Sequence, residues 1–259
     1  MRKSTVAFLV LLGFLGLWAV GESLEIGVLS NLAFMTLVAV ALVLAYFYLR
    51  FEERRSDTKL VALIATMSAL SVGGRCLFAA IPGVQPSTFI VIITGYVYGP
   101  LAGFMVGATT ALVSNIFLGH GPWTIWQMFA WGLAGLVSGL LGRWRLLEGR
   151  WSLAWYCAAW GLLFGWILNV YFVLGFVHPV TTGAFLATYA ASAWFDALHA
   201  AGNFVFAFAL GPVMIAMLRR YQARFFFEHV APSPPGGQGE GGFHAGSGHD
   251  VTEVEVPGS

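Results

Sequence analysis

The sequence predicts an all-α, polytopic membrane protein. Three observations predict it. Of 259 residues, 58% are hydrophobic and only 10% are charged. Mean hydropathy is +0.79. The apolar residues fall in runs of membrane-spanning length separated by short polar joints. A soluble domain carries about 25% charged residues and needs them to stay in water. The composition therefore excludes an ordinary soluble enzyme and a disordered chain. The net charge of +1 provides no field to attract a polyanion, which excludes a nucleic-acid binder. Cys76 and Cys157 lie far apart in apolar runs and form no CxxC pair, so they carry no redox or metal signal.

A crossing helix needs about 20 mostly apolar residues. Such runs occur at 5–21, 26–49, 59–80, 87–98, 101–118, 124–142, 152–176 and 193–218. The fourth is short and is bracketed by Pro86 and by Gly99-Pro100, which restrict helix continuation. It is expected to be tilted, broken or joined to its neighbour by a very tight turn. Eight spans place twelve of the thirteen Lys and Arg residues on one side, between or beyond the spans, with Arg75 as the exception. The positive-inside rule makes that side cytoplasmic, with both termini inside and the chain in the plasma membrane. Arg2-Lys3, an apolar stretch and Ala19-Val20-Gly21 also resemble a secretory signal with a small-x-small cleavage site. An uncleaved first helix is the preferred reading.

Composition divides the chain further. Residues 1–50 form a two-helix N-terminal unit with no buried charge. Residues 51–57 (FEERRSD) are a polar cytoplasmic linker, and 58–227 form a six-helix unit. Residues 228–259 are rich in Gly, Pro and Ser and cannot bury enough surface to offset their ordering entropy, which predicts a flexible cytoplasmic tail. Its histidines (His229, His244, His249) are read as solvated.

Ionisable groups inside a membrane are costly and usually mark function. The six-helix unit has three: Arg75, Asp196 and His199. Arg75 follows the start of its span by some sixteen residues, or roughly 24 Å of helix rise, which puts it near the outer side. Asp196 lies near the outer start of the last span, with His199 one turn deeper. Asp196, His199 and Asn203 are spaced i, i+3, i+7 and share one helix face. Two readings are open. Arg75 and Asp196 form an ion pair that locks two helices together, or the polar stripe walls a pocket that opens outward.

The outer loops supply further candidates. One loop carries Gln85 between Val84 and Pro86. The other runs from Gly119 through His120, Trp123 and Trp126 to Gln127, with Asn115 before it and Trp131 after. An aromatic interfacial belt accounts for tryptophans singly. The cluster as a whole suits a ligand lid, because aromatic faces with a few aimed polar groups describe small-molecule pockets. Small residues four apart (Gly95/Gly99, Gly103/Gly107, Gly135/Gly139, Gly161/Gly165) predict close helix packing. Ala62, Ala65, Thr66, Ser68 and Ala69 make one small-residue surface near the cytoplasmic start of the third span. It can pack inside the bundle or receive a partner helix.

Some chemistry is ruled out. The only lysines, Lys3 and Lys59, follow Arg2 and Thr58, so the Gly-Lys-Ser/Thr core of a phosphate-binding loop is missing. His199-Ala-Ala-Gly202 resembles the histidine region of rhomboid proteases. Gly135-Leu-Val-Ser138-Gly139 is one residue longer than their serine motif, and Ser138 lies near the other end of its span. A serine and its base must come within about 3 Å, which disfavours that reading. There is no HExxH and no carboxylate pair for a metal, and no cofactor is expected. An intramembrane enzyme centred on Asp196 and His199 and a non-transporting scaffold are the alternatives to a binding protein.

Four stretches carry a family resemblance: TKLVALIATMSAL; Arg75 to Gly95 with Val84-Gln85-Pro86; GFMVGATTALVSN followed by GHGPWTIWQMFAWGLAG; and SAWFDALHAAGNFVFAFALGP before a basic end. Over roughly Asp57 to Phe227 the chain resembles the substrate-binding (S) components of energy-coupling factor (ECF) transporters, closest to the cobalamin and corrinoid branch. The resemblance implies a binding subunit and not an enzyme. It implies a six-helix bundle with an outward pocket for a vitamin ligand, and a surface at Ala62, Ala65 and Ala69 that docks on a transmembrane coupling subunit served by two separate ATPases. Arg75, Gln85, Asn115, Trp123, Trp126, Gln127, Asp196, His199 and Asn203 are the candidate substrate-binding residues. The N-terminal helix pair departs from minimal S components.

Overall fold

The structure, a computed structural model, describes residues 2–24, 27, 29, 31–53 and 58–226. Within these residues the fold is all-helical: α1 (Lys3–Ser23), α2 (Leu32–Glu53), α3 (Thr58–Leu77), α4 (Ser87–Tyr98), α5 (Pro100–Leu118), α6 (Trp123–Leu141), a single 3-10 turn (Gly142–Trp144), α7 (Arg150–Phe176) and α8 (Thr182–Phe226). Seven of the helices are long and apolar enough to cross a membrane, and α4 is the shorter one. The tail at 228–259, Glu25 and linker residues 54–57 lie outside the described residues.

The turn chemistry explains how a 12-residue helix fits among longer ones. Pro86 precedes α4, and Gly99 ends it at φ +94°, a conformation that costs glycine little and other residues much. Pro100 then opens α5, where its missing N–H is no loss. The α4–α5 joint is thus one residue long, the very tight turn anticipated from Gly99-Pro100. The short helix occupies the centre of the bundle. Every residue from Ser87 to Val97 is buried, and α4 packs on α3, α5, α6, α7 and α8. A helix buried all round must be apolar all round, which the run FIVII satisfies.

Backbones approach most closely where α4, α5 and α6 meet. A Cβ added at Gly95 or Gly103 would run into the Gly135 carbonyl, and one added at Gly135 would strike Gly103. Without a hydrophobic driving force between helices in lipid, such small-residue contacts are what allow tight packing. The core around them holds Phe89, Ile92, Phe104, Val106 and Trp131.

The N-terminal helices attach through α2. α1 packs on α2, and α2 packs on α5, α6 and α7. Phe47 stacks on Phe104 at 3.8 Å between ring centroids. The start of α1 meets the end of α2 through Lys3 Nζ to Glu52 at 3.0 Å and the Ser4 amide donating to Glu53 at 2.6 Å.

The last helix differs from expectation. It begins at Thr182 instead of near 193 and runs for 45 residues, about 68 Å at 1.5 Å per residue, against a hydrocarbon core of about 30 Å. Hydropathy located only its apolar middle. The preceding stretch contains Thr188, Tyr189 and Ser192, which lower the hydropathy without disfavouring a helix. Thr181 starts it by accepting the Ala184 amide at its hydroxyl, at 3.2 Å, as an N-cap does. Asp196 therefore lies fourteen residues into α8, not near its start.

Candidate functional site

The cavity-bearing end of the bundle is where α3 and α5 finish and α4 and α6 begin. Arg75 lies near the end of α3 and is 8% exposed. Its Nε donates to Gln85 Oε1 at 3.2 Å. Its Nη1 donates to Asn115 Oδ1 at 2.7 Å and to the Ser114 hydroxyl. The guanidinium carbon sits 4.8 Å from the Trp131 ring centroid, a cation–π arrangement. Asn115 passes the network on, donating from Nδ2 to Thr124 Oγ1 at 2.9 Å and to Gln127 Oε1 at 2.8 Å. One cation thereby joins α3, α5, α6 and the α3–α4 loop through neutral acceptors.

A second polar cluster adjoins it. The Trp131 indole donates to Thr88 Oγ1 at 2.9 Å, so the Thr88 hydroxyl proton is free to go to His199 Nε2, also 2.9 Å away. His199 Nδ1 is 2.7 Å from the Gly83 carbonyl, which can only accept. The Gly83 carbonyl therefore requires a proton on Nδ1, and Nε2 faces the Thr88 hydroxyl. Asn203 lies beneath. Its Oδ1 accepts the Phe89 amide at 3.0 Å, and its Nδ2 donates to the His199 carbonyl at 2.8 Å. Pro86 provides no side-chain cap to α4, and Asn203 from α8 satisfies this first-turn donor instead.

Arg75, Gln85, Asp196 and His199 line a single cavity of about 280 Å³. Trp131 lines it as well, stacked on Phe164 at 4.5 Å between ring centroids, and Phe164, Leu168 and Asn169 bring α7 to its wall. The Arg75–Asp196 ion pair raised by the sequence does not form: neither residue belongs to a salt bridge among the described residues. Asp196 Oδ2 accepts from the Ser192 hydroxyl at 2.8 Å, and Ser192 in turn accepts from Asn169 Nδ2 at 2.7 Å. The carboxylate rests against Gly165, where an added Cβ would strike Asp196 Oδ1.

The other sequence candidates have different positions. Asn115 and Gln127 stand behind Arg75 as its support and do not line the cavity. Asn203 is fully buried below His199. Trp123 is 41% exposed and covers Gly121. Trp126 faces elsewhere: it is 5.7 Å from Tyr171 and lines a separate hollow with the start of α2. The residues that pattern reading missed are Phe164 and Asn169. They lie on α7, whose Gly161 and Gly165 stood out only as packing residues. The close approach of α8 at those glycines is what brings their neighbours to the cavity.

The serine of the protease-like string is remote from His199. Ser138 Oγ donates to Gly135 O at 3.0 Å and lies beside Gly95, seven residues further along α4 than Thr88. Ala62, Ala65 and Ala69 are exposed on α3. Ala65 and Ala69 line a groove of about 590 Å³ between α3 and α5, with Ser68, Gly73, Thr109 and Val113.

Comparison with known proteins places these features in a family. Residues 55–220 match the family described as ECF-type riboflavin transporter, S component. Among curated proteins, the chain is 32% identical over 89 residues to a UPF0397 protein of Aliivibrio fischeri, covering 32% of this chain and 48% of that one. It is 32% identical over 102 residues to one of Vibrio atlanticus, covering 36% and 56%. It is 31% identical over 91 residues to one of Clostridium perfringens, covering 31% and 49%. The chain spans about half the length of the curated relatives it matches. No solved structure matches it. The family description names riboflavin, so the corrinoid expectation receives no support from it.

Proposed function

The chain belongs to the family of ECF-type riboflavin transporter S components, and on that premise we propose that it is the membrane-embedded substrate-binding subunit of an ECF importer whose cargo is riboflavin or a close flavin relative. The observation that carries this reading is the cavity itself. A buried guanidinium with only neutral partners stands over an indole face, ringed by Gln85, Asn169, Asp196 and His199. That is a small cavity walled by aromatic and aliphatic side chains with a few aimed polar groups, the make-up of a site for a small polar ring compound. The volume weighs against a large cargo. About 280 Å³ is near the lower limit of roughly 300 Å³ for small-molecule pockets. It falls far short of a corrinoid macrocycle.

The cavity-bearing end faces outward in this reading, because the basic joints then lie inside with both termini in the cytoplasm of a plasma-membrane protein. The exposed Ala65–Ala69 groove on α3 takes a helix of the coupling subunit. Energy comes from separate ATPase chains, since this chain has no phosphate-binding lysine motif. The test is equilibrium binding of riboflavin to the purified protein in lipid nanodiscs, read by quenching of flavin fluorescence. Saturable one-to-one binding supports the reading. Absence of binding while the protein elutes as a folded, single species overturns the choice of cargo.

A further inference from the structure

Going beyond the transport reading, we propose that the α7–α8 face at the end opposite the cavity holds one anionic phospholipid, its phosphate diester on Arg150 and an acyl chain along Trp151, Trp155, Phe204 and Phe208. The joint between α6 and α7 reads GRWRLLEG, and Arg150 follows it as the first residue of α7. The one acid in that joint, Glu148, is taken by Arg145 at 3.0 Å and by Arg219 at 2.5 Å. Arg150 belongs to no salt bridge among the described residues. Its guanidinium carbon lies instead 5.1 Å from the Phe208 ring centroid, a cation–π arrangement that holds the charge against the α7–α8 face. Helix stability does not account for a charge of this sign, because the dipole disfavours a cation at a helix N-terminus.

Beyond Arg150 the aromatic side chains form two rungs. Trp151 meets Phe208 at 4.7 Å between ring centroids, and Trp155 meets Phe204 at 4.9 Å. Phe204 and Phe208 are stacked, with their planes within 7° of parallel. Each helix steps four residues from one rung to the next, about 6 Å of rise, and the rungs run from the end of the bundle toward its middle. Trp151 and Trp155 are 61% and 65% exposed on a helix long and apolar enough to cross a membrane, so lipid covers them. An interfacial belt accounts for a single tryptophan, but not for a cation fixed at the head of a double aromatic row. Cation at the edge and rings inward is the order of phosphate and acyl chain in a phospholipid. Charge then selects among phospholipids. Arg143, Arg220 and Arg224 are exposed at the same end and belong to no salt bridge among the described residues. Such basic surfaces beside membrane helices attract anionic headgroups, whereas the choline of a zwitterionic lipid would bring one more cation.

The experiment offers the full chain equal amounts of phosphatidylglycerol and phosphatidylcholine with identical acyl chains and counts the retained lipid by native mass spectrometry. The wild-type protein is expected to retain one phosphatidylglycerol, with a preference over phosphatidylcholine of about fivefold or more. Arg150→Gln is expected to lower that preference about fivefold, the ratio that one arginine at an anionic lipid surface contributes. Arg224→Gln removes the same charge sixteen residues along α8 from Phe208, about 24 Å away, and is expected to leave the preference within about twofold, since that distance exceeds two Debye lengths. Trp155→Ala shortens the acyl wall and is expected to reduce retention of both lipids alike. Equal retention of the two lipids by the wild type overturns the proposal. So does an equal loss of preference in Arg150→Gln and Arg224→Gln, which reports only the general positive field of this end. If Arg150→Gln does not fold, the wild-type comparison and Trp155→Ala decide. No flavin enters the measurement, so failure here and failure of the cargo reading are separate results.

Discussion

Arg75 concentrates the chemistry of the cavity into one side chain. It donates to three neutral acceptors and lies over Trp131, so its positive charge is held in place without being neutralised. Hydrogen bonds to charged groups are worth about 1.5–3 kcal/mol. Arg75→Gln is accordingly expected to weaken riboflavin binding by about 10- to 100-fold, as measured by fluorescence titration; an unchanged affinity would detach Arg75 from the site. Asn203 belongs to the same stripe in sequence but acts differently. It is sealed from the cavity and satisfies the Phe89 amide of α4. Asn203→Ala leaves that donor unpaired, at a cost of about 1–3 kcal/mol. The expected result is a lower thermal midpoint in detergent that added riboflavin partly restores, because ligand that binds only the folded state stabilises it. The i, i+3, i+7 spacing marked the face these residues share, but it could not divide them into cavity wall and buried support. That division depends on what α4 and α7 bring opposite each position.

Among the helices, α3 presents two separate features along its length. Its last turn holds Arg75 in the cavity, and its first three turns and a little beyond expose Ala62, Ala65 and Ala69. The groove beside Ala65 and Ala69 has an almost wholly apolar lining, which fits a helix partner in a bilayer, where small residues let backbones approach. Ala65→Leu and Ala69→Leu fill that groove without touching the cavity. They are expected to abolish co-purification of the coupling subunit while leaving riboflavin affinity within about twofold, since residues far apart with no shared partners act additively. A pull-down in which both variants still recover the complex would contradict the docking assignment. The helices themselves were mostly legible: apolar run length marked all eight, and Gly99-Pro100 announced the tight α4–α5 joint. The start of α8 was not, because a helix that continues past the apolar band loses the signal by which spans are found.

Across the whole molecule, the end opposite the cavity is held by an electrostatic clamp. Glu148, between α6 and α7, meets Arg219 of α8 at 2.5 Å, Arg145 at 3.0 Å and the Tyr96 hydroxyl of α4 at 3.3 Å. Hydrogen bonds from Arg219 and then Arg145 hold the Glu148 carboxyl down to about 2. A carboxyl lowered in the folded state adds stability that is complete above its ordinary value, near 4.5. That contribution is lost as pH falls toward 2. The clamp is solvent-accessible, so its effect is modest. Thermal midpoints between pH 6 and pH 3 should fall more for the wild type than for Glu148→Gln, which lacks the titrating group; equal slopes would remove the clamp from the pH response.

The sequence by itself determined the class of molecule, the number of apolar helices, several of the polar residues gathered at the cavity and the family to which the chain belongs. All of these follow from local composition and spacing, and in a bilayer composition is a strong constraint because every buried charge is costly. Only the tertiary structure decided that Arg75 and Asp196 stay apart, that Trp126 turns away while Trp131 lines the cavity, and that α7 provides the facing wall. Those outcomes depend on how the helices pack on one another, as where Gly161 and Gly165 admit α8, and such distances between helices are not encoded along any single one of them.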